Sequence, residues 1–285
     1  MKMVKNIPLK GSTGKPMLTD IFFTGDGRKK PVVIYAHGFN GFKDWGGFDL
    51  IACAIAAAGF VFVKFNFSHN GTTPDAPEEF ADLAAYAENN YTRELYDIAA
   101  VTDWALSPQN PYAAEIDAAK AGLLGHSRGG GIVLLRAAED TRVKAVGTWA
   151  SVSQCKTPWG SWPAEKLEAW KETGVEYITN TRTKQEMPLH YQLHEDFTAH
   201  AARLDIEAAV KRLAIPLLIC HGTNDTSVSI ENARRLQAWK GDAQTCFVDS
   251  DHVFGRRHPW GPAEMPPATQ KVLQDTIHFF KKALG

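Results

Sequence analysis

Several features that would set this chain apart from ordinary globular proteins are missing. No stretch approaches the roughly 18 consecutive apolar residues that a membrane span requires, and residues 1–15 lack the apolar core of a signal peptide. Lys and Arg number 31 against 32 Asp and Glu, with no long run of one sign. This balance argues against a nucleic-acid or anionic-membrane partner. We therefore expect a cytoplasmic protein with neither partner.

Cysteine is scarce as well, with four residues and no C-x-x-C pair. Three of the four lie within apolar runs, where a thiol behaves as a small apolar side chain. We therefore expect Cys53, Cys155, Cys220 and Cys246 to be free thiols rather than parts of disulfides or of a metal site.

A histidine-rich stretch contains residue types that could bind a metal. His190 and His194 are spaced i, i+4 and are followed by Glu195, Asp196 and His200, all of which can bind zinc. The stretch lacks the H-E-x-x-H order of zinc-binding helices, and a polar helix face accounts for it equally well. We expect no metal and no organic cofactor.

The apolar runs that are present predict an α/β fold. Pro31–Ala36 and Phe60–Phe67 are apolar without polar alternation, which indicates strands buried on both faces of a parallel sheet. Residues 3–23 have the pattern of a hairpin. Apolar residues at helical spacing predict helices over Phe48–Ala58 and Thr92–Leu106. This alternation indicates a mostly parallel central sheet with helices on both faces.

The alternation breaks after a strand that ends near Val152 and resumes at Ile215–Cys220. The intervening segment shows only helical pieces and is rich in Trp, Tyr and Phe. We therefore predict a core built from residues 1–153 and 212–285, and a mainly helical cap inserted at residues 154–211.

The centre of the chain carries a glycine-rich turn around one serine. Residues Gly125–Gly129 read Gly-His-Ser-Arg-Gly between two apolar runs, which matches the strand-to-helix turn that exposes a nucleophilic serine. A Cβ at the glycines would collide with neighbouring elements. Because short motifs also occur by chance, a glycine-rich turn without chemistry is the alternative.

A nucleophilic Ser127 requires a histidine base and an acid elsewhere in the chain. Asp225 directly follows a buried apolar run, which would place it at the edge where open α/β sheets hold their sites. Asp249 and Asp251 are competing acids. Both lie so close to His252 in sequence that we expect them to point elsewhere.

His252 is the histidine that lies on the last loop after a strand and downstream of the acid. We expect it to be the base, with a solvated loop histidine as the alternative. His258 is its nearest rival, but it precedes Pro259, which restricts its backbone to extended conformations and favours a structural corner.

Taken in order, these motifs resemble the α/β-hydrolase superfamily over nearly the whole chain except the insertion. The matching residues are His37-Gly38-Phe39, Gly125–Gly129, His221–Asp225 and Asp251-His252. The G-H-S-R-G-G and H-G-F sequences are most similar to the group of dienelactone hydrolases, cinnamoyl and feruloyl esterases and serine aminopeptidase-like hydrolases. The resemblance implies a triad in the chain order Ser, Asp, His, which gives Ser127, Asp225 and His252.

These residues predict a serine hydrolase that cleaves carboxylic esters through an acyl-enzyme. We expect the backbone N–H groups of Phe39 and Arg128 to form the oxyanion hole. The Arg128 side chain could pair with a carboxylate of the helix layer, but we expect it to be solvated. Trp159, Trp162 and Tyr191 of the cap are candidates for binding an apolar or aromatic acyl group. Packing of the cap onto the core would explain these rings equally well.

Other functions remain open at this stage. A serine peptidase would use the same triad on amides, although no propeller-like second domain is present to select peptides, which favours esters. A thioesterase is also compatible. A non-catalytic ligand-binding protein would be expected to have a damaged triad. The natural substrate, and whether the protein is a monomer or a homodimer, are not predicted.

Overall fold

The structure is a computed structural model that describes all residues, Met1–Gly285. It contains ten strands and nine α-helices. The strands are β1 (Lys2–Lys10), β2 (Pro16–Phe23), β3 (Lys30–Ala36), β4 (Val61–Phe65), β5 (Ile116–His126), β6 (Val143–Trp149), β7 (Val175–Thr179), β8 (Glu186–His190), β9 (Leu217–Gly222) and β10 (Gln244–Val248). The helices are α1 (Phe48–Ala57), α2 (Leu83–Ala87), α3 (Tyr91–Leu106), α4 (Arg128–Glu139), α5 (Ala164–Thr173), α6 (Gln192–Ala199), α7 (Ile206–Arg212), α8 (Glu231–Trp239) and α9 (Pro267–Leu284).

Eight strands form one twisted sheet in the order β1-β2-β4-β3-β5-β6-β9-β10. β2 runs antiparallel to both of its neighbours, whereas β3 to β6, β9 and β10 are all parallel. The predicted hairpin and the mostly parallel sheet are therefore confirmed. Because the parallel strands end at one edge of the sheet, the loops after β3, β5, β9 and β10 gather there.

Each face of the sheet has its own apolar core, since the central strands are buried on both sides. On one face α1 and α9 cover the sheet with side chains such as Ile51 and Phe280. On the other face α3, α4, α7 and α8 contribute residues such as Ile98 and Val133. This is the two-sided helical cover that the uninterrupted apolar strands predict.

Residues 154–211 contain a hairpin that the sequence did not predict. β7 and β8 pair antiparallel in a separate two-stranded sheet, which contacts α5 and α2. The strands are short, and in β7 every residue is at least partly exposed, so they lack the buried apolar run by which the core strands were recognised. Gly174 ends α5 at a φ of 74° and directs the chain into β7, a backbone conformation that suits glycine.

None of the helices combines the length and apolar character needed to cross a membrane.

Candidate active site

Ser127 lies in the sharp turn between β5 and α4. Its backbone has φ 55° and ψ −122°, a conformation that costs a non-glycine residue energy and that persists only when its surroundings impose it. The neighbouring glycines permit the turn. A Cβ on Gly125 would lie 2.3 Å from the Gly129 carbonyl oxygen, and one on Gly129 would lie 2.3 Å from that of His37. The turn therefore holds the Ser127 side chain at the carboxyl edge of the sheet.

The loop after β3 lies directly beside this serine. A Cβ on Gly38 would come within 2.9 Å of the Ser127 Cβ, so only glycine leaves room for the approach. The N–H of Phe39, the next residue, donates to no backbone acceptor in the chain. The N–H of Arg128, the first residue of α4, is one that no carbonyl of its own helix can accept. Both predicted oxyanion donors thus lie on segments that adjoin Ser127.

Asp225 and His252 meet at the ends of β9 and β10. The distance from His252 Nδ1 to Asp225 Oδ2 is 2.7 Å, which leaves Nε2 as the free ring nitrogen. Asp225 Oδ1 accepts hydrogen bonds from the N–H groups of Ser227 and Val228 at 2.9 and 2.8 Å. Burial opposes ionisation of Asp225, but hydrogen bonds from His221 and His252 hold its pKa well below the usual range. The carboxylate is therefore charged at neutral pH.

The competing acids and the rival histidine have other partners. Asp251 accepts hydrogen bonds from the N–H groups of Val253 and Gly255 within its own loop. Asp249 accepts one from the Asn224 side chain at 2.6 Å. His258 packs edge-on against Phe42, with ring centres 4.9 Å apart.

Three further histidines, His126, His221 and His37, surround the site as hydrogen-bonding groups. His126 Nε2 donates to the His252 carbonyl at 2.9 Å, and burial lowers the pKa of His126 well below its usual value. His221 Nε2 donates to the Val228 carbonyl at 2.8 Å and lies 3.3 Å from Asp225 Oδ2.

His37 fixes the loop that carries Phe39. Its Nδ1 donates to the Gly38 carbonyl at 2.8 Å, and its Nε2 accepts the Phe67 N–H at 3.3 Å. Burial lowers the pKa of His37 to about 4, so the imidazole is neutral and both of its nitrogens are engaged.

A cavity of about 740 Å³ opens above these residues, with Ser127 and His252 in its wall. Phe39, Trp45 and Val152 supply apolar surface, and most of the remaining wall is polar. The inserted segment also reaches it, through residues 156–158 and the β7–β8 turn at residues 179–182. The candidate site is therefore enclosed by the core and the insertion together.

The expectation that the Arg128 side chain is solvated was wrong. It is only 1% exposed, its Nε donates to Glu94 Oε2 at 3.0 Å, and its Nη1 donates to the Thr157 carbonyl at 3.2 Å. The guanidinium also lies 3.9 Å from the centre of the Tyr91 ring. The partners come from α3 and the start of the insertion, far from Arg128 in sequence, so the motif alone gave no sign of them.

The three aromatic residues predicted to bind substrate do not line the cavity. Trp159, Trp162 and Tyr191 instead surround Trp170, with ring centres 6.0, 5.4 and 5.2 Å from it. Trp170 is fully buried, and its indole N–H donates to the Leu189 carbonyl. These rings form the interior of the insertion, which is the alternative that the sequence left open.

The histidines considered as zinc ligands do not converge on one point. His190 Nδ1 lies 2.6 Å from Glu88 Oε1, whereas the His194 ring stacks on Tyr191 with centres 5.2 Å apart. His200 Nδ1 lies 3.0 Å from the Asp196 carbonyl.

Three carboxylates elsewhere do converge closely enough for a metal ion, those of Asp20, Asp44 and Asp49. The ammonium groups of Lys43 and Lys64 already lie among them, at 2.8 and 3.0 Å from Asp20 Oδ2. The cluster is therefore balanced by the protein's own cations. All four cysteines are free thiols, as predicted.

Sequence reasoning missed several residues of the cavity wall, among them Arg182, Arg235 and Arg256. Arg256 follows His252 by four residues and could have been found by examining that loop for charged groups. Arg182 and Arg235 come from the unpredicted hairpin and from α8, and no local motif marks either of them.

The sequence profile of the prolyl oligopeptidase family matches residues 47–285. A search of curated protein sequences finds no significant match.

Several solved structures share the fold. The esterase domain of a Rhodothermus marinus protein is 19% identical, with a TM-score of 0.64 over the full length of both chains. Est1E from Butyrivibrio proteoclasticus, solved with ferulic acid bound, is 16% identical, with a TM-score of 0.69 over 97% of this chain and 98% of that one. A puromycin-hydrolyzing peptidase of Mycobacterium tuberculosis is 16% identical, with a TM-score of 0.64 over 100% of this chain and 39% of that one. At these identities the likenesses establish the fold alone.

Proposed function

The chain belongs to the prolyl oligopeptidase family of α/β-hydrolases, and from that premise we propose that it is a serine hydrolase that cleaves carboxylic esters. The predicted membership of the superfamily is confirmed, and with it a hydrolytic function. The observation that carries the finer proposal is the 2.7 Å contact between Asp225 and His252 at a cavity that also contains Ser127.

The first half of the proposed reaction forms an acyl-enzyme. The Ser127 Oγ attacks the ester carbonyl carbon while His252 Nε2 takes the hydroxyl proton. Asp225 holds the imidazole in the Nδ1–H tautomer and stabilises its positive charge. When the C–O bond of the tetrahedral intermediate breaks, the leaving alkoxide takes the proton from His252.

The developing oxyanion would be stabilised by the N–H groups of Phe39 and Arg128. Two features support this assignment: the Phe39 N–H has no backbone acceptor in the chain, and Gly38 packs against Ser127. His37 holds the loop, since its Nδ1 donates to the Gly38 carbonyl and its Nε2 accepts the Phe67 N–H. The loop that carries the Phe39 N–H is thus held in place before substrate arrives, which is the condition for effective oxyanion stabilisation.

The second half releases the acid. Water loses a proton to His252 Nε2 and attacks the acyl carbon, and Ser127 leaves with that proton. Every step uses only protein groups and water.

We assign residues 154–211 to a cap over this site. The assignment is supported by Lys156, Thr157 and Arg182, which line the same cavity as Ser127. In this arrangement the β7–β8 turn limits the size of the acyl or alcohol group, while the tryptophans stabilise the cap from within.

A peptidase is the second candidate, because the matching family profile is named for oligopeptidases. The same triad can cleave amides, but the departing amine must be protonated, whereas an alkoxide leaves more readily. Assaying a 4-nitrophenyl ester beside 4-nitroanilides of the same acyl group, including prolyl anilides, separates the two. We expect hydrolysis of the ester and none of the anilides, and anilide hydrolysis that Ser127→Ala abolishes would favour the peptidase.

Intact-mass measurement after incubation with a fluorophosphonate is the direct test. We expect one adduct on the wild-type chain and none on Ser127→Ala. Ser151→Ala is a matched control that should still react, since Ser151 donates to the Val152 carbonyl. A folded wild-type protein that stays unmodified would contradict an activated Ser127.

A further inference from the structure

The cavity that contains Ser127 is lined by four cationic side chains and by no carboxylate. Lys156, Arg182, Arg235 and Arg256 lie in its wall, and no Asp or Glu does. None of the four forms an ion pair with an Asp or Glu of the chain, unlike other arginines of the protein. In a concave site, unpaired charges of one sign reinforce each other and raise the local concentration of the opposite charge.

Arg256 is the most informative of the four because it is only 4% exposed. Its guanidinium lies between the rings of Trp45 and Phe48, at 5.6 and 5.0 Å from their centres. Of its three nitrogens only Nε has an acceptor in the chain, the Val253 carbonyl at 3.1 Å. Nη1 is buried with no acceptor at all.

A charged group in such surroundings is expensive unless something compensates for it. Burying an ion without a counter-charge or a full set of hydrogen bonds costs free energy that cation–π contacts recover only in part. Burial lowers the pKa of Arg256 to about 10, so it remains cationic at neutral pH. Arg256 follows His252 by four residues, and both line the same cavity, so the unsatisfied charge faces the space that the proposed base also faces.

We propose that the cavity binds an ester that carries a carboxylate, with Arg256 as the principal anion-binding residue. The inference rests on the proposed function and specifies its substrate class. A planar guanidinium with unused N–H donors matches a carboxylate. The three exposed cations at the rim add attraction at long range, which salt screens.

Two pairs of esters test the proposal, each pair differing in one charge. On the acyl side, 4-nitrophenyl hydrogen terephthalate is compared with its methyl ester, because a para carboxylate cannot reach the scissile carbonyl. On the alcohol side, 4-carboxyphenyl butyrate is compared with 4-(methoxycarbonyl)phenyl butyrate. We expect kcat/KM to be about tenfold or more higher for the charged member of at least one pair, the factor that one charge-assisted hydrogen bond supplies.

Substitutions of single arginines show which of them produces the preference for the charged ester. Arg256→Gln should reduce the preference to about twofold or less, since one such bond accounts for most of it. Arg235→Gln should reduce it less, and high salt should remove the part due to Arg235. Arg234→Gln is the matched control on α8, because Arg234 pairs with Glu231 and does not line the cavity. An unchanged preference in Arg256→Gln, or equal rates within both ester pairs for the wild type, overturns the proposal.

Calorimetric titration with benzoate and benzamide gives a readout that needs neither turnover nor a fold-sensitive variant. Ser127→Ala should bind benzoate and not benzamide, and this difference should shrink in high salt. Benzoate binding without hydrolysis of any ester would support the anion site and contradict the proposed esterase. Hydrolysis of esters without charge preference and without benzoate binding would support the proposed esterase and contradict the anion site.

Discussion

Asp225 is the residue whose surroundings most clearly fit it to hold an imidazolium. Both of its oxygens accept hydrogen bonds, and one lies 2.7 Å from His252 Nδ1. We expect Asp225→Asn to keep the fold but lower kcat by about 10⁴-fold, because an amide stabilises the wrong histidine tautomer. The measurement is kcat on a 4-nitrophenyl ester at saturation.

Asp249→Asn and Asp251→Asn are the matched controls for this prediction. Both residues lie on the loop of His252, but Asp249 accepts a hydrogen bond from the Asn224 side chain and Asp251 accepts two from backbone N–H groups. We expect each to retain kcat within about tenfold, as for a residue that does not touch the base. A loss in either as large as that in Asp225→Asn would reassign the acid.

For individual residues, the sequence predicted which residues lie at the candidate site better than it predicted what their side chains contact. Ser127, Asp225 and His252 each follow a recognisable strand, so chain order and the common edge of a parallel sheet suffice to bring them together. The burial of Arg128 depends on Glu94, 34 residues earlier in the chain, and no local pattern encodes that partnership. The exposed or buried state of a long side chain is therefore the property that sequence reasoning predicts least well.

Among elements, α3 and α4 are joined by the buried ion pair of Glu94 with Arg128. Their side chains are 5% and 1% exposed. We expect Glu94→Gln to lower the free energy of unfolding by about 3–5 kcal/mol, because the substitution leaves the Arg128 charge buried without its counter-charge. Urea unfolding monitored by tryptophan fluorescence measures the change.

The control for that change lies at the other end of α4. Glu139 pairs with Arg203 in a more exposed contact, with side chains 27% and 45% exposed. Glu139→Gln should cost at most about 1 kcal/mol. Equal effects of the two substitutions would mean that the buried pair contributes no more than a surface pair.

The β7–β8 hairpin offers a test of the cap proposal. Residues 179–182, at the end of β7 and in the turn, line the cavity, whereas the other residues of the two strands do not. Replacing residues 181–184 with Asn-Gly, which forms a tight two-residue hairpin turn, should change the ratio of kcat/KM between acetyl and bulky neutral acyl esters. The rate of fluorophosphonate labelling at Ser127 should stay the same. An unchanged ratio would show that the turn does not limit the acyl group.

The same hairpin shows why some elements were predicted and others were not. Core strands such as β3 are buried throughout and read as continuous apolar runs. β7 has no fully buried residue, and β8 buries only Met187 and Leu189 among its five residues. Short strands with so few buried residues leave little periodic signal in the sequence.

For the whole molecule, we expect the free energy of unfolding to fall in acid, because buried histidines that are neutral in the folded state take up protons when the chain unfolds. Burial lowers the pKa of His37 to about 4, and burial together with Arg93 lowers that of His69 to about 4. An unfolded chain binds these protons already near pH ~6.5. The unfolded state therefore carries more protons than the folded state between about pH 6.5 and 4, and linkage makes folding weaken as the pH falls through that window.

The buried carboxyl group of Asp97 has the opposite effect on the pH dependence of the free energy of unfolding. A substitution of Asp97 therefore tests the direction of that dependence. Burial raises its pKa to about 7, so its contribution is fully present below the ordinary carboxyl pKa of about 3.8 and is lost as the pH rises through about 7. We expect the wild-type free energy of unfolding, measured in urea between pH 7 and pH 4.5, to decrease on acidification. Asp97→Asn should steepen this decrease because it removes the opposing group, whereas His69→Gln should flatten it. Stability that rises on acidification, or a flatter profile in Asp97→Asn, would contradict the assignment of these buried groups.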